Sequence, residues 1–499
     1  MKKYASLAIA LYPLQFSPMT SAQEFYWTSF SYVGTHASPT AGCIKNLPST
    51  NPQLLRLRYS HTTLTPGDGF PIAKCWAIQS YWQDNFATES LRDYDLLFRS
   101  GDTCPQYRQY NPTTGECSND EQKGPDSINS PALCSTQDSS IKTSIGNNYI
   151  FREELQESGL NAPLQLHYNS IDSSWQHSYS TRLRTSSEKY IALIKPTGQE
   201  EIFLHNENDT TPTDINSGTL TKNSSGWTYK SRDNKDLHFD SNGRLIAQNS
   251  ISAHITLSYL DNKITITDQN GRVLVITQSV DRRILSAQAG TQIIDYTYSR
   301  TGQLIEATRR ANGVVTSSKY SYEDPHNVGL LTGITDERGV RYATWTYDDQ
   351  GRAISSEHAG GAERTLVSYN ADGSSTVTNA LGKRTTYRFQ TVQGIRRITA
   401  IEGEPSANCP NSNSSFTYDD RGLVKTRTDN KGNVTTFDYN ERGLEVSRTE
   451  AFGTPQARTV TTTWHPTLFL PATVTEPDRI TTYSYDDQGR PLSQSVSQR

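Results

Sequence analysis

The sequence predicts an all-β protein, an antiparallel meander of short strands. Three observations carry that expectation. Hydrophobic residues make up only 33% of the 499 positions while aromatics reach 10%, with 27 Tyr, which suits thin, two-faced sheets better than helices or long buried strands. From Gly226 onward, eleven of twenty-one glycines have Asp or Asn three positions earlier, against about 2.5 expected from composition. Aromatic residues also recur through the same stretch at a period near 23 residues. The net charge of −4, from 48 basic and 52 acidic side chains, leaves no basic field for nucleic acid.

Four segments follow in order. Residues 1–22 read as an export signal: Lys2 and Lys3 precede a short apolar run from Tyr4 to Phe16, and Thr20-Ser21-Ala22 supplies a small-residue cleavage site. No later run is long enough to span a bilayer, so the mature chain is expected to be secreted or extracytoplasmic rather than membrane-spanning. Residues 23–145 are rich in Pro, Asn, Ser and Thr and are expected to be irregular, with one short capped helix near Thr88-Glu-Ser-Leu91, Tyr94, Leu97 and Phe98. Five of the six cysteines lie here, which agrees with export. An Asn-Pro-Thr-Thr-Gly turn between Cys104 and Cys117 favours pairing of those two, closing a loop worth about 3 kcal/mol. The other pairings stay open.

Residues 146–221 form a β-rich lead-in, with strands at Leu164–Tyr168, Tyr190–Ile194 and Glu201–Leu204. Residues 222–499 form the repeat array. Its turns begin at Asn223, Asp240, Asp268, Asp336, Asp348, Asn370, Asn379, Asp419, Asp429, Asn440 and Asp486. Each ends three residues later in a glycine, among them Gly243, Gly271, Gly351, Gly422, Gly432 and Gly489. Asp-x-x-Gly is the pattern of a type I turn closed by a residue at positive φ. One set of turns follows an aromatic and the other follows threonine, and they alternate at 10–11 residues through 418–443. The repeat anchors include Tyr298, Tyr347, Tyr369, Tyr418, Tyr439 and Tyr485. The continuous antiparallel sheet is expected to run over 146–499 with these anchors on one face.

Tyr347-Asp-Asp-Gln-Gly-Arg352, Tyr485-Asp-Asp-Gln-Gly-Arg490, Asp240-Ser-Asn-Gly-Arg-Leu245 and Asp268-Gln-Asn-Gly-Arg272 resemble the motif of the RHS/YD-repeat family. The resemblance covers roughly residues 222–499. Upstream, Gly146-Asn-Asn-Tyr-Ile, Leu164-Gln-Leu-His-Tyr-Asn-Ser170 and Trp175-Gln-His-Ser-Tyr179 resemble the segment that leads into such repeats. The resemblance implies that the meander winds into a curved, partly open β-shell around a C-terminal polymorphic or toxic domain. The family's Asp-Pro-x-Gly-Leu core motif is absent and the sequence stops inside a repeat, so the expectation is a wall without its plug or contents.

Side chains that suggest chemistry have stronger structural explanations. Asp pairs such as Asp419-Asp420 resemble calcium ligands, but an Asp that accepts its own turn's amides is the commoner case. The arginines after the turn glycines (Arg244, Arg272, Arg352, Arg490) are expected over the preceding Tyr ring. His177 reads as a satisfied structural residue. No catalytic or metal-binding motif occurs, so no cofactor, metal or catalytic residue is assigned and no enzyme is expected. The leading functional expectation is a structural shell or carrier, partnered by an effector or a continuation of the wall and able to self-associate through open sheet edges. The alternative is a carbohydrate- or surface-binding module, which requires aromatics on the solvent face. A secreted hydrolase ranks third.

Overall fold

The computed structural model describes residues 140–499 except 156–162, 186–189, 207–208, 326 and 404–412. It also describes residues 122–125, the Cys43 and Cys75 side chains, and strand backbone within 25–29, 35–36, 56–66, 71–83 and 86–101. These strands form four antiparallel sheets: one of five strands from the N-terminal region, two of four, and one of twenty-six. The large sheet runs from Thr219–Asn223 to Pro491–Gln498 with every strand hydrogen-bonded to its sequence neighbours. It is curved and does not close into a barrel.

Ten of the eleven turns share one backbone geometry, and in all of these but Asn370, whose side chain donates to Ser374 Oγ, the opening Asp or Asn accepts two turn amides. At Tyr347-Asp348-Asp349-Gln350-Gly351-Arg352, Gly351 N donates to Asp348 O (3.0 Å), and Asp348 N donates to Arg352 O (2.9 Å). Asp348 Oδ1 accepts from the Gln350 and Arg352 amides (3.0 and 2.8 Å), leaving Oδ2 to the Arg352 guanidinium (Nε at 2.8 Å). The ten glycines have φ between 68° and 82°, the left-handed region that glycine enters without steric cost. The register slips by one residue at Tyr347, so the aromatic sits at a bulge and pairs with Ala353. Asn223 is the exception: it pairs directly with Gly226 across a two-residue hairpin. A Cβ on Gly226 would lie 2.0 Å from Phe239 O, so glycine serves close approach there.

Three further turns of the same kind begin with serine. Ser231–Asn234, Ser279–Arg282 and Ser299–Gly302 each close an i to i+3 hydrogen bond, and the Ser Oγ accepts the amide four residues on. Asn234 and Arg282 hold positive φ (57° and 65°) where the regular repeat has glycine.

The continuous sheet starts at Thr219 rather than at residue 146. Residues 141–177 and 182–212 instead make the two four-stranded sheets. Their strands Leu164–Asn169 and Tyr190–Ile194 are buried on both faces, unlike the half-exposed alternation of the array. They form a second layer. Leu183 N donates to Gly243 O (2.8 Å), Asn148 Nδ2 to Tyr347 Oη (2.9 Å), Trp175 Nε1 to Tyr322 Oη (3.0 Å), Ser375 Oγ to Thr143 O (2.9 Å), and an Arg396 guanidinium nitrogen to Ser144 O (2.6 Å). One compact segment thus touches the sheet from Gly243 to Arg396, which requires the sheet to wrap around it. The aromatic face is concave.

The N-terminal region departs from the expected irregular chain. Thr88 to Phe98 lies in the strand Phe86–Gly101, not in a helix. That strand pairs with Pro71–Gln83 from Gln83↔Phe86 to Ile72↔Phe98, and so extensive a ladder overrides a local capping signal. Cys43 and Cys75 are disulfide-bonded, with Cα atoms 5.3 Å apart. Cys104 and Cys117 lie outside the described residues.

Asp348→Ala removes the acceptor of two turn amides and an ion pair at once. The expected loss is about 1–2 kcal/mol of local stability, read as faster amide exchange over 341–358. Asp349→Ala in the same turn is the control, with an effect within about 0.5 kcal/mol.

Candidate functional surface on the concave face

The anchors tie one repeat to the one before it. Tyr298 Oη donates to Ile284 O (2.9 Å), Tyr347 to Leu331 O (2.6 Å), Tyr369 to Ala353 O (2.7 Å), Tyr418 to Ile398 O (2.5 Å) and Tyr439 to Val424 O (2.8 Å). Tyr259 and Trp464 do the same to Leu245 O and Glu445 O, both at 2.8 Å. Leu245, Ile284, Ala353, Val424 and Glu445 are each the first residue of a strand. The phenol therefore marks where the preceding turn ends. Burial pushes these phenols up, Tyr418 to about 12, so they stay protonated donors. Tyr485, in the last hairpin, meets His465 edge-on with ring centres 6.5 Å apart.

The arginines behave differently from expectation. Each guanidinium of Arg244, Arg272, Arg352 and Arg490 binds back to its own turn carboxylate, at Asp240, Asp268, Asp348 and Asp486. Where a ring is also covered, it belongs to the following anchor: Arg352 lies 4.2 Å from the Tyr369 ring centre and Arg244 5.1 Å from Tyr259. The i+4 spacing to Asp holds the side chain over the next hairpin, which the sequence pattern alone does not show. Turn carboxylates at Asp419 and Asp429 are likewise occupied by turn amides and by Arg421 or Asn433. Among the described residues no group of three or more His, Cys, Asp or Glu is placed to hold a metal ion.

His177 is fully packed in the lead-in. Its Nδ1 accepts the Tyr179 amide (3.2 Å) and its Nε2 meets the Gln278 side-chain amide (2.5 Å). Burial lowers its pKa to about 3, and that of His167, bonded to Tyr149 Oη at 2.7 Å, to about 4. Both are neutral structural groups.

The two faces of the array differ. The continuous buried core ends at Val377. Beyond it the concave side carries an open groove of about 420 Å³ lined by Arg448, Glu450, Arg458, Glu476, Arg479 and Tyr483. Glu476 bridges Arg458 (2.5 Å) and Arg479. The convex side carries hydroxyl pairs across adjacent strands, including Thr417–Thr426 (2.7 Å), Thr449–Thr459 (2.9 Å), Thr463–Thr473 (2.6 Å) and Ser484–Ser493 (2.7 Å). These hydroxyls bond one another rather than a base, and the anchor rings lie on the opposite face.

The family model described as RHS Repeat matches residues 418–455, the stretch that holds three intact turns in succession. Residues 418–455 therefore carry an RHS repeat. Crystal structures of TcdB2-TccC3-Cdc42 and of TcdB2-TccC3 without hypervariable C-terminal region are similar to it at 13% and 12% identity, with TM-scores of 0.30 and 0.31. The matches cover 67% and 68% of this chain, which spans only 19% and 20% of those structures. No curated protein matches the sequence.

The buried histidines set a pH dependence. Their folded pKa values lie below the unfolded 6.5, so the unfolded chain takes up protons first and stability falls as pH drops from about 6.5 toward 4. The paired substitution His167→Gln with His177→Gln should flatten the slope by about 2–3 kcal/mol per pH unit in that window. Identical slopes in urea unfolding at pH 6.5 and 5 would refute it.

Proposed function

We propose that this chain is an RHS-repeat protein and the exported wall of a container that encloses or presents an effector encoded downstream or separately. The observation that carries the reading is the division of the concave face. The apolar core shared with the lead-in ends at Val377, the lead-in's polar contacts reach Arg396, and the groove beside Arg448 and Tyr483 lies open beyond them. A curved sheet with half its inner surface covered by its own chain has the shape of a wall whose other half receives something else. The Cys43–Cys75 disulfide and the N-terminal signal pattern support export to an oxidising compartment. Among the described residues no helix is long and apolar enough to cross a membrane. The same reading has the wall perform no turnover, since the Asp, Tyr and Thr side chains of its repeats serve turns, inter-repeat ties and hydroxyl ladders.

Co-expression with the polypeptide encoded immediately downstream tests the reading. A complex should survive gel filtration and protect the partner from protease. Val474→Glu with Tyr483→Arg, which place bulk and charge on the open groove, should weaken retention at least tenfold. Retention unchanged by those substitutions, or no complex at all, defeats the container reading. Peptide, glycoside or nucleic-acid hydrolysis that persists through purification defeats the non-catalytic part.

A further inference from the structure

The regular aromatic turn is missing after Trp464. In its place His465-Pro-Thr-Leu-Phe-Leu470 joins the strands Arg458–Trp464 and Pro471–Thr475. Leu468 and Phe469 are buried although they sit in a loop. Part of what covers Phe469 lies some 235 residues away in sequence. Its amide donates to Asn234 Oδ1 at 2.8 Å, in the serine turn between the strands Gly226–Lys230 and Asp236–Asp240. The Arg232 guanidinium stands 4.9 Å from the Phe469 ring centre and that of Arg442 stands 5.0 Å from it. Arg442 also donates to the carbonyls of His465 (2.7 Å), Pro466 (3.0 Å) and Leu468 (3.0 Å), which fixes the loop's shape. Nearby, Arg397 reaches Asp214 at 3.4 Å, and a Cβ on Gly443 would lie 2.7 Å from Ile215 Cγ1. The sheet has come round far enough for its later strands to rest on its first ones.

We propose that this contact is a seam and that Phe469 is the pin that closes it: with the ring in place the wall is locked onto itself, and with the ring withdrawn it parts there. Two cations share one aromatic ring, and the ring is what makes their proximity tolerable. Burial and the neighbouring Arg442 both disfavour the charge on Arg232, while Asp214 and Glu201 offset this in part. Removing the ring leaves two guanidinium groups facing a void, so repulsion adds to the lost packing. A pin of this kind loosens at one place and leaves the hairpins intact. The seam belongs to the fold of the chain itself, so it stands or falls independently of whether a downstream partner is retained.

Amide hydrogen exchange on the full mature chain tests the pin. In Phe469→Ala at low salt, exchange should quicken at least tenfold at both 215–217 and 231–235. Amides of the strand Val273–Gln278 should not change. Raising salt to about 1 M, where screening acts over about 3 Å, should return the seam amides toward the wild-type rate. Phe469→Trp, which keeps an aromatic face for the two cations, should stay closed. Unchanged exchange at 231–235 in Phe469→Ala overturns the proposal. So does an increase that salt does not reverse, or one that spreads to Val273–Gln278, since either is the signature of ordinary lost packing.

Discussion

Everything in this fold depends on the short side chain that opens each turn. Asp Oδ1 accepts two amides of its own turn, and those are the donors that a chain reversing direction would otherwise expose. The reversal then needs only one residue at positive φ, three positions on. Because the carboxylate settles the turn locally, each hairpin is specified by about six residues and needs little apolar core. This explains how a chain with 33% hydrophobic residues sustains a sheet of twenty-six strands. Serine at Ser231, Ser279 and Ser299 makes a like closure while accepting one turn amide instead of two.

Hairpins made this cheaply do not by themselves choose their spacing or curvature. The anchor supplies that choice. A Tyr at the bulge before one turn donates to the first residue of a strand that follows an earlier one, as Tyr369 does to Ala353 and Tyr439 to Val424. Each tie fixes the distance between consecutive turns on one edge, and repeated ties bend the sheet toward the aromatic face. The lead-in occupies the space so formed. A continuous apolar core joins the lead-in to the array, and polar groups buried beside it, such as Asn147, Asn148 and Asn169, bond to one another and to the array.

Much of this was legible in the sequence, and the boundary between legible and illegible follows from range. The Asp-x-x-Gly turns and the Tyr register are local patterns, and all but Asn223 close as the spacing implies. The serine turns carry no Asp-x-x-Gly signature, because Ser Oγ supplies the amide acceptor and Asn234 or Arg282 can stand in for the glycine. The direction of the arginines is set by the ion pair each makes with its own turn carboxylate, which holds it over the following Tyr ring, a contact that residue order does not display. Above all, the strand at Phe86–Gly101, the Cys43–Cys75 bond and the separate lead-in sheets are set by partners distant in sequence. Local signals such as the Thr88 cap are weak beside a ladder that long.

The same distinction says where function is to be sought in such an array. Intact repeats are nearly interchangeable, so their side chains specify geometry that every neighbour shares. Contacts that differ from repeat to repeat must sit where the motif breaks. Three such breaks stand out: the serine turn at Ser231–Asn234, the loop after Trp464, and the Gly329–Leu331 segment that receives Tyr168 and Tyr347. The first two are brought together across the seam, and the third anchors the lead-in. Each departure from the repeat coincides with a contact the repeat could not make. The irregular positions of the array are therefore informative rather than decayed: they make the long-range contacts that the regular repeat leaves out.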